Sequence, residues 1–152
     1  MKTDYLNAIR LIERLHRQFL EVVKAEIDRI GVRDINNVQA LILYNIGEDE
    51  MTVGELTHRG YYLGSNVSYN VRKMVENGYL IQERSPHDRR SIRVRLSDKG
   101  LEVWRSMDKV FDTQADLLVG TGIQSTQLED TATVLRRLER FLLQHYGYGP
   151  AR

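Results

Sequence analysis

The 152-residue chain contains no cysteine, which excludes disulfides, thiolate zinc sites, cysteine nucleophiles and thiol-oxidation sensing. It has no uninterrupted apolar run of about 18 residues, the length a membrane-spanning helix needs. The opening stretch MKTDYLNAIRLIERLHRQ carries charges throughout and lacks the apolar core of a secretion signal, so a cytoplasmic, membrane-free protein is expected. Catalytic signatures are missing as well: there is no H-E-x-x-H, G-x-S-x-G, P-loop or complete G-x-G-x-x-G. The four histidines are scattered, one to an element, so neither a metal site nor a cofactor is expected. An enzyme finds no support in this sequence, and no catalytic residue can be named.

What is present is an ordinary globular composition, 41% hydrophobic and 28% charged, with an uneven distribution of charge. The net charge is only +1, yet residues 52–100 hold nine Lys and Arg against five Asp and Glu. The flanks hold thirteen basic and sixteen acidic residues. A basic middle between acidic flanks is what a local anion-binding surface requires. The densest part is SPHDRRSIRVRLSDKG, residues 85–100, where Arg89, Arg90, Arg93 and Arg95 alternate in part with Ile92, Val94 and Leu96.

Periodicity divides the chain into helices and one hairpin. Tyr5, Ile9, Ile12, His16, Phe19, Val23 and Ile30 recur at helical spacing, which predicts a first helix over about 3–30. At roughly 1.5 Å per residue it is about 40 Å long, too long to bury its stripe within one small domain. Asp34 or Asn36 can cap a second helix running to Gly47, and Thr52 with Glu55 forms a capping box for a short third. Gly60 and Gly64 interrupt the chain before a fourth helix, which Ser65 can cap and Asn77-Gly78 stops, with Val67, Val71 and Met74 facing inward. YLIQERS and RRSIRVRLS then read as a hairpin with Ile92, Val94 and Leu96 inward and Arg93 and Arg95 outward. Ser97 can cap a fifth helix carrying Trp104. Thr126 with Glu129 is the capping box expected to open the last helix, whose stripe includes Leu128, Leu135, Leu138 and Leu142.

This order predicts a mostly α protein with a small β-hairpin (α+β). It has a winged helix-turn-helix head at 34–100, and a helical dimerisation stalk at 1–31 and 101–146, within one domain spanning 1–152. The outward face of the fourth helix offers Ser65, Asn66, Ser68, Tyr69, Arg72 and Lys73 to the base edges and phosphates of double-stranded DNA. A solvated helix face has the same appearance. Four wing arginines with a single acid, Asp88, favour an anion over mere protection of an edge strand. Arg90 is the expected minor-groove residue, and Arg89, Arg93 and Arg95 are candidates for backbone contacts. Asp88 either pairs with Arg90 or forms an Asx-turn after Pro86, and the two are compatible. The expected dimer interface includes Tyr5, Ile9, Ile12, His16, Leu135, Leu138 and Leu142.

The wing and the start of the fifth helix carry a known pattern. Asp88, Arg90, Leu96, Ser97 and Gly100 fit D-x-R-x-x-x-x-x-L-[ST]-x-x-G, after a helix that ends in NGYL. In these residues, in element order and in length, the chain resembles the MarR family of bacterial transcriptional regulators. The resemblance implies an obligate homodimer, a fourth helix in the major groove, a wing in the adjacent minor groove, and an Asp88 carboxylate orienting Arg90. It also implies a small aromatic or phenolic effector held between head and stalk, for which Arg14, Arg17, Gln18, Tyr44, Tyr61 and Tyr62 are candidates. The chain departs from the family at YYLGSNVSYNVRKM, where members read like LGVSPSTVSRLV. Here Tyr61 replaces the turn glycine, and Leu63-Gly64 replaces Ser-Pro at unchanged spacing.

The expected function is therefore a sequence-specific regulator, expected to be a repressor, binding a pseudo-palindromic operator as a homodimer in the bacterial cytoplasm and nucleoid. The competing readings are a winged-helix module that binds protein, and a nonspecific architectural DNA-binding protein. The former would usually lack wing arginines; the latter would carry a higher net charge.

Overall fold

The expected helical stripe becomes a 28-residue helix, α1 (Lys2–Arg29), in a computed structural model that describes residues 1–60, 64–88 and 91–147, without the side chains of 60, 64 and 65. The chain divides into two units, Met1–Met107 and Asp108–Arg152, with the division falling inside one helix. In the first unit, the C-terminal part of α1 buries Val23 and Ile27 against α2 (Asn37–Ile46). Glu26, buried on the same face, accepts a hydrogen bond from Arg29 Nε at 2.9 Å. The preceding turns of α1 leave Leu11, Ile12, Leu15 and Phe19 exposed, Leu15 by 62%.

Asn36 proves to be the cap of α2: its Oδ1 accepts from Gln39 N–H at 2.8 Å, and Gln39 Oε1 accepts from Asn36 N–H at 3.0 Å. The chain leaves α2 through Gly47 at φ +60°, a left-handed value that favours glycine. Thr52 and Glu55 form the expected box at the start of α3 (Val53–Gly60): Oγ1 accepts from Glu55 N–H at 3.0 Å, and Oε2 accepts from Thr52 N–H at 3.2 Å. The next helix, α4 (Gly64–Glu76), buries Val67, Val71 and Met74 at positions i, i+4 and i+7. Burial of three such side chains contributes roughly 1.5–3 kcal/mol each, which holds the helix to the core.

A three-stranded antiparallel sheet comes next, of order β1 (Met51–Thr52), β3 (Ile92–Leu96), β2 (Leu80–Arg84). The β2–β3 hairpin was expected; the short β1, which pairs Met51 with Val94, was not. Val94 and Leu96 are buried and Arg93 and Arg95 face outward, as the alternation of residue types requires.

The L-S-x-x-G end of the motif has a packing explanation. Leu96 enters the core. Ser97 Oγ accepts from Gly100 N–H at 3.1 Å, which caps α5 (Asp98–Val119). Ser97 N–H donates to the Tyr79 carbonyl at 3.0 Å, and Gly100 lies directly against that carbonyl. Trp104 packs on α2, with its ring stacked on Tyr44 at 5.8 Å and Nε1 donating to the Tyr44 carbonyl at 3.2 Å.

The second unit comprises the rest of α5 and α6 (Ser125–Tyr146), linked through a turn with Gly122 at φ +85°. The expected Thr126–Glu129 capping box is corrected here. Gln124, extended at φ −96° and ψ 151°, precedes the helix, and Gln127 Oε1 takes the Gln124 N–H at 2.9 Å. Thr126 therefore sits inside the first turn rather than ahead of it. No described residue of α6 is buried, and Leu128, Leu135, Phe141 and Leu142 stand exposed. Among the described residues, no helix is long and apolar enough to cross a membrane.

Candidate nucleic-acid interface

The apolar anchoring of α4 decides which side chains it presents. With Val67, Val71 and Met74 held inside, Asn66, Ser68, Tyr69 and Arg72 are exposed and Lys73 is half-exposed. Tyr69, 51% exposed, has the Arg72 guanidinium 5.9 Å and the Lys73 ammonium 6.0 Å from its ring centre. Tyr69, Arg72 and Lys73 thus lie together on one side of the helix, at the outer reach of a cation–π contact. Lys73 also lies 3.6 Å from Glu76, one turn on. A groove of about 330 Å³ runs between this helix and the sheet, bringing Ser68 and Arg72 of α4 beside Ser91 and Ile92 of the wing. Its other wall carries Thr52 and Gly54 at the start of α3.

The described part of the wing is held by its own backbone. Ser85 N–H donates to the Ser91 carbonyl and Ser91 N–H to the Asp88 carbonyl, both at 3.0 Å. The Asp88 carboxylate accepts from Ser91 Oγ at 3.3 Å, so Asp88 takes part in fixing the turn. Arg89 and Arg90 lie outside the described residues, as do Tyr61 and Tyr62.

The count of one acid among four wing arginines needs correction. Arg93 Nε lies 3.8 Å from Glu50 and Arg95 lies 3.5 Å from Glu83. Glu50 arrives from the turn before β1. Glu83 stands opposite Arg93 in the β2–β3 register and reaches diagonally to Arg95. All four side chains are well exposed, so each pair contributes only about 0–1 kcal/mol and can be exchanged for another anion.

Behind the interface sits a network that sequence reasoning did not assemble. The buried Tyr79 donates its hydroxyl to the Asp34 carboxylate, and Lys99 lies 3.6 Å from the same acid and 4.3 Å above the Tyr79 ring. Asn77 Nδ2 donates to the Asp34 carbonyl at 2.8 Å, and Lys99 Nζ donates to the Asn77 carbonyl at 3.0 Å. The Tyr79 hydrogen bond, ahead of a backbone bond and Lys99, holds the Asp34 carboxyl below its ordinary value although burial opposes it. Burial first, and then Asp34, pushes the Tyr79 phenol well up. The Asn77-Gly78-Tyr79 stop, legible as a turn, is thus also a tie between the loop before α2 and the start of α5.

The described candidate effector residues are Arg14, Arg17, Gln18 and Tyr44. Arg14, Arg17 and Gln18 are exposed on α1, whereas Tyr44 stacks on Trp104. A groove of about 410 Å³ beside the loop after α1 draws instead on Ile30, Arg33, Asp34, Lys99, Glu102 and Ser106. Of the expected interface residues, Ile12, His16, Leu135 and Leu142 are exposed, and Tyr5, Ile9 and Leu138 are half-covered. Among the described residues, no group of three or more His and acidic side chains is placed to hold a metal ion.

A family model described as a winged helix DNA-binding domain matches residues 35–100. The chain is 36% identical to the exopolysaccharide II synthesis transcriptional activator ExpG of Rhizobium meliloti (strain 1021), over 89% of this chain and 70% of that protein. Its fold is similar to FabT of Streptococcus pneumoniae in complex with DNA, with a TM-score of 0.72 at 17% identity, covering 92% of this chain and 98% of FabT. It is also similar to a MarR transcriptional regulator from Methanosarcina mazei Go1, with a TM-score of 0.71 at 21% identity, covering 91% of this chain and 97% of that one.

Proposed function

We propose the function from one premise: this chain belongs to the MarR family of winged helix-turn-helix transcriptional regulators. On that premise it is a DNA-binding regulator, and its relatives are regulators rather than enzymes. The finer reading is a homodimer in the cytoplasm that grips a two-fold symmetric duplex, with α4 in the major groove and the wing arginines, Arg90 foremost, in the adjacent minor groove. The observation that carries it is the exposed row Asn66, Ser68, Tyr69, Arg72 and Lys73 on a helix whose opposite face is locked in the core. Asn66 suits a bidentate contact to adenine, and Arg72 a contact to guanine or phosphate. The FabT structure, described as a DNA complex, supports use of this fold on DNA. The apolar residues left exposed along α1 and α6 support a second copy of the chain as the occupant of those faces. Half-sites would then lie about one helical turn apart.

Repression by occluding a promoter is the simpler sign of regulation, and a small aromatic or phenolic effector would be the releasing signal. ExpG is called an activator, which favours activation as the second reading. Selection of duplexes from a random library by the purified protein, followed by affinity measurements across salt concentrations, tests the function. A symmetric consensus bound at least about 10³ more tightly than random duplex establishes sequence-specific dimeric recognition. No enrichment with a steep salt dependence means backbone-only binding and an architectural role. No binding at low salt turns the function toward a protein partner. A reporter with the consensus placed over or upstream of the promoter then separates repression from activation.

A further inference from the structure

Apolar burial holds α4 against the core, but it is non-directional, and a stripe of two valines and a methionine does not by itself define how far the helix is rolled about its axis. Roll matters for reading bases. At a side-chain tip about 6 Å from the axis, a roll of about 20° is a displacement of about 2 Å, enough to lose a hydrogen bond.

One directional contact between α2 and α4 meets this need. Gln39, only 7% exposed, donates from Nε2 to Asn70 Oδ1 at 3.1 Å. Its other amide atom, Oε1, is already taken by the Asn36 N–H in the cap of α2. With Oε1 committed, the amide cannot flip without losing the Asn36 N–H bond of the capping box, so the direction of its N–H toward Asn70 is set. Asn70 is half-buried at the flank of the Val67–Val71–Met74 stripe. It lies one helical turn from both Asn66 and Lys73, which belong to the exposed row.

We propose that the Gln39–Asn70 bond is a positioning pin that sets the roll of the recognition helix, so that the N-terminal cap of α2 determines how sharply α4 discriminates among duplexes. Gln39 touches no DNA in this arrangement; it acts through Asn70. The proposal rests on the reading of α4 as the base-contacting helix.

The test compares full-length Gln39→Met, Asn70→Ala, Asn70→Asp and the Gln39→Met/Asn70→Ala double variant. The readout is the ratio of affinities for the selected consensus duplex and for a random duplex. The two single truncations are expected to lower that ratio about tenfold each. The double variant should fall no further than Gln39→Met alone, because that change has already removed the bond that Asn70→Ala breaks. Asn70→Asp keeps an acceptor for Gln39, and its added charge weakens both duplexes alike, so the ratio should stay within about threefold of the parent. An unchanged ratio in Gln39→Met, or losses that multiply in the double variant, overturns the pin.

Amide hydrogen exchange in the free protein supplies a second readout that does not depend on DNA. Gln39→Met and Asn70→Ala should both speed exchange along α4 while the sheet keeps its protection. Unchanged exchange overturns the pin even if the parent protein prefers no duplex, which is the separate result that would sink the DNA reading.

Discussion

Replacing Gly100 with alanine should be among the most damaging single-methyl changes this chain can suffer. A Cβ at Gly100 would lie 2.2 Å from the Tyr79 carbonyl oxygen, 3.3 Å from the carbonyl carbon and 3.4 Å from Leu96 Cβ. Touching heavy atoms sit at roughly 3.5 Å, so more than about 1 Å must be found. Neither side yields easily. The Tyr79 carbonyl accepts the Ser97 N–H that precedes α5, and the Tyr79 side chain is buried and tied to Asp34. Overpacking of this kind costs about 1–3 kcal/mol, and loss of the Ser97–Tyr79 bond adds about 1 kcal/mol. The better helix propensity of alanine offsets up to about 1 kcal/mol. The net expectation is a loss of about 2 kcal/mol, read by urea unfolding as a midpoint lowered by about 1–2 M at unchanged slope. A midpoint within about 0.3 M of the parent would refute the close-packing explanation of the motif glycine.

Four further outcomes are expected. Tyr79→Phe removes the principal cause of the lowered Asp34 pKa. A carboxyl lowered on folding stabilises above its unfolded value near 3.8, and that stabilisation is lost as pH falls through the folded value. The stability gap between parent and variant should therefore be full at neutral pH and shrink below about pH 4; a pH-independent gap by urea titration refutes the linkage. Glu50→Gln with Glu83→Gln should leave stability almost unchanged, while raising duplex affinity severalfold and steepening its salt dependence as Arg93 and Arg95 are freed; equal affinity would mean these arginines meet no phosphate. Arg90→Ala should weaken binding to the consensus duplex by roughly 1–3 kcal/mol in a fluorescence titration, and no change would remove Arg90 from the wing contact. Deleting residues 1–20 should abolish the proposed dimer by light scattering, since it removes Leu11, Ile12, Leu15 and Phe19 from the exposed α1 face; a surviving dimer would place the interface elsewhere.

Local signals were legible wherever the period or the cap was contained in a few residues. The α1 stripe, the Thr52 cap, the choice of Asp34 or Asn36 as the α2 cap, the Asn77-Gly78 stop and the inward pair Val94 and Leu96 all depend on neighbours within one or two turns, while Ile92, expected inward with them, is only half-buried. What escaped depends on chain separation. Strand β1 has two residues, too few to show a period, and exists because Met51 meets Val94 across 43 positions. Gln39 and Asn70 are 31 residues apart, and Asp34 and Tyr79 are 45 apart. The wing arginines looked unopposed because Glu50 lies outside the basic segment and Glu83 reaches its arginine diagonally, after the register is formed. The start of α6 was misplaced because Thr126 and Glu129 match a capping pattern that Gln124 and Gln127 satisfy two residues earlier.

The stacking of Trp104 on Tyr44 has a practical consequence. This is the chain's single tryptophan, and its indole N–H is bound to the backbone of α2 while its ring lies on an aromatic neighbour. Its emission therefore reports one contact without ambiguity of assignment. Any ligand, duplex or substitution that slides α5 along α2 will alter the wavelength and intensity of native fluorescence, giving the molecule an optical gauge that needs no label.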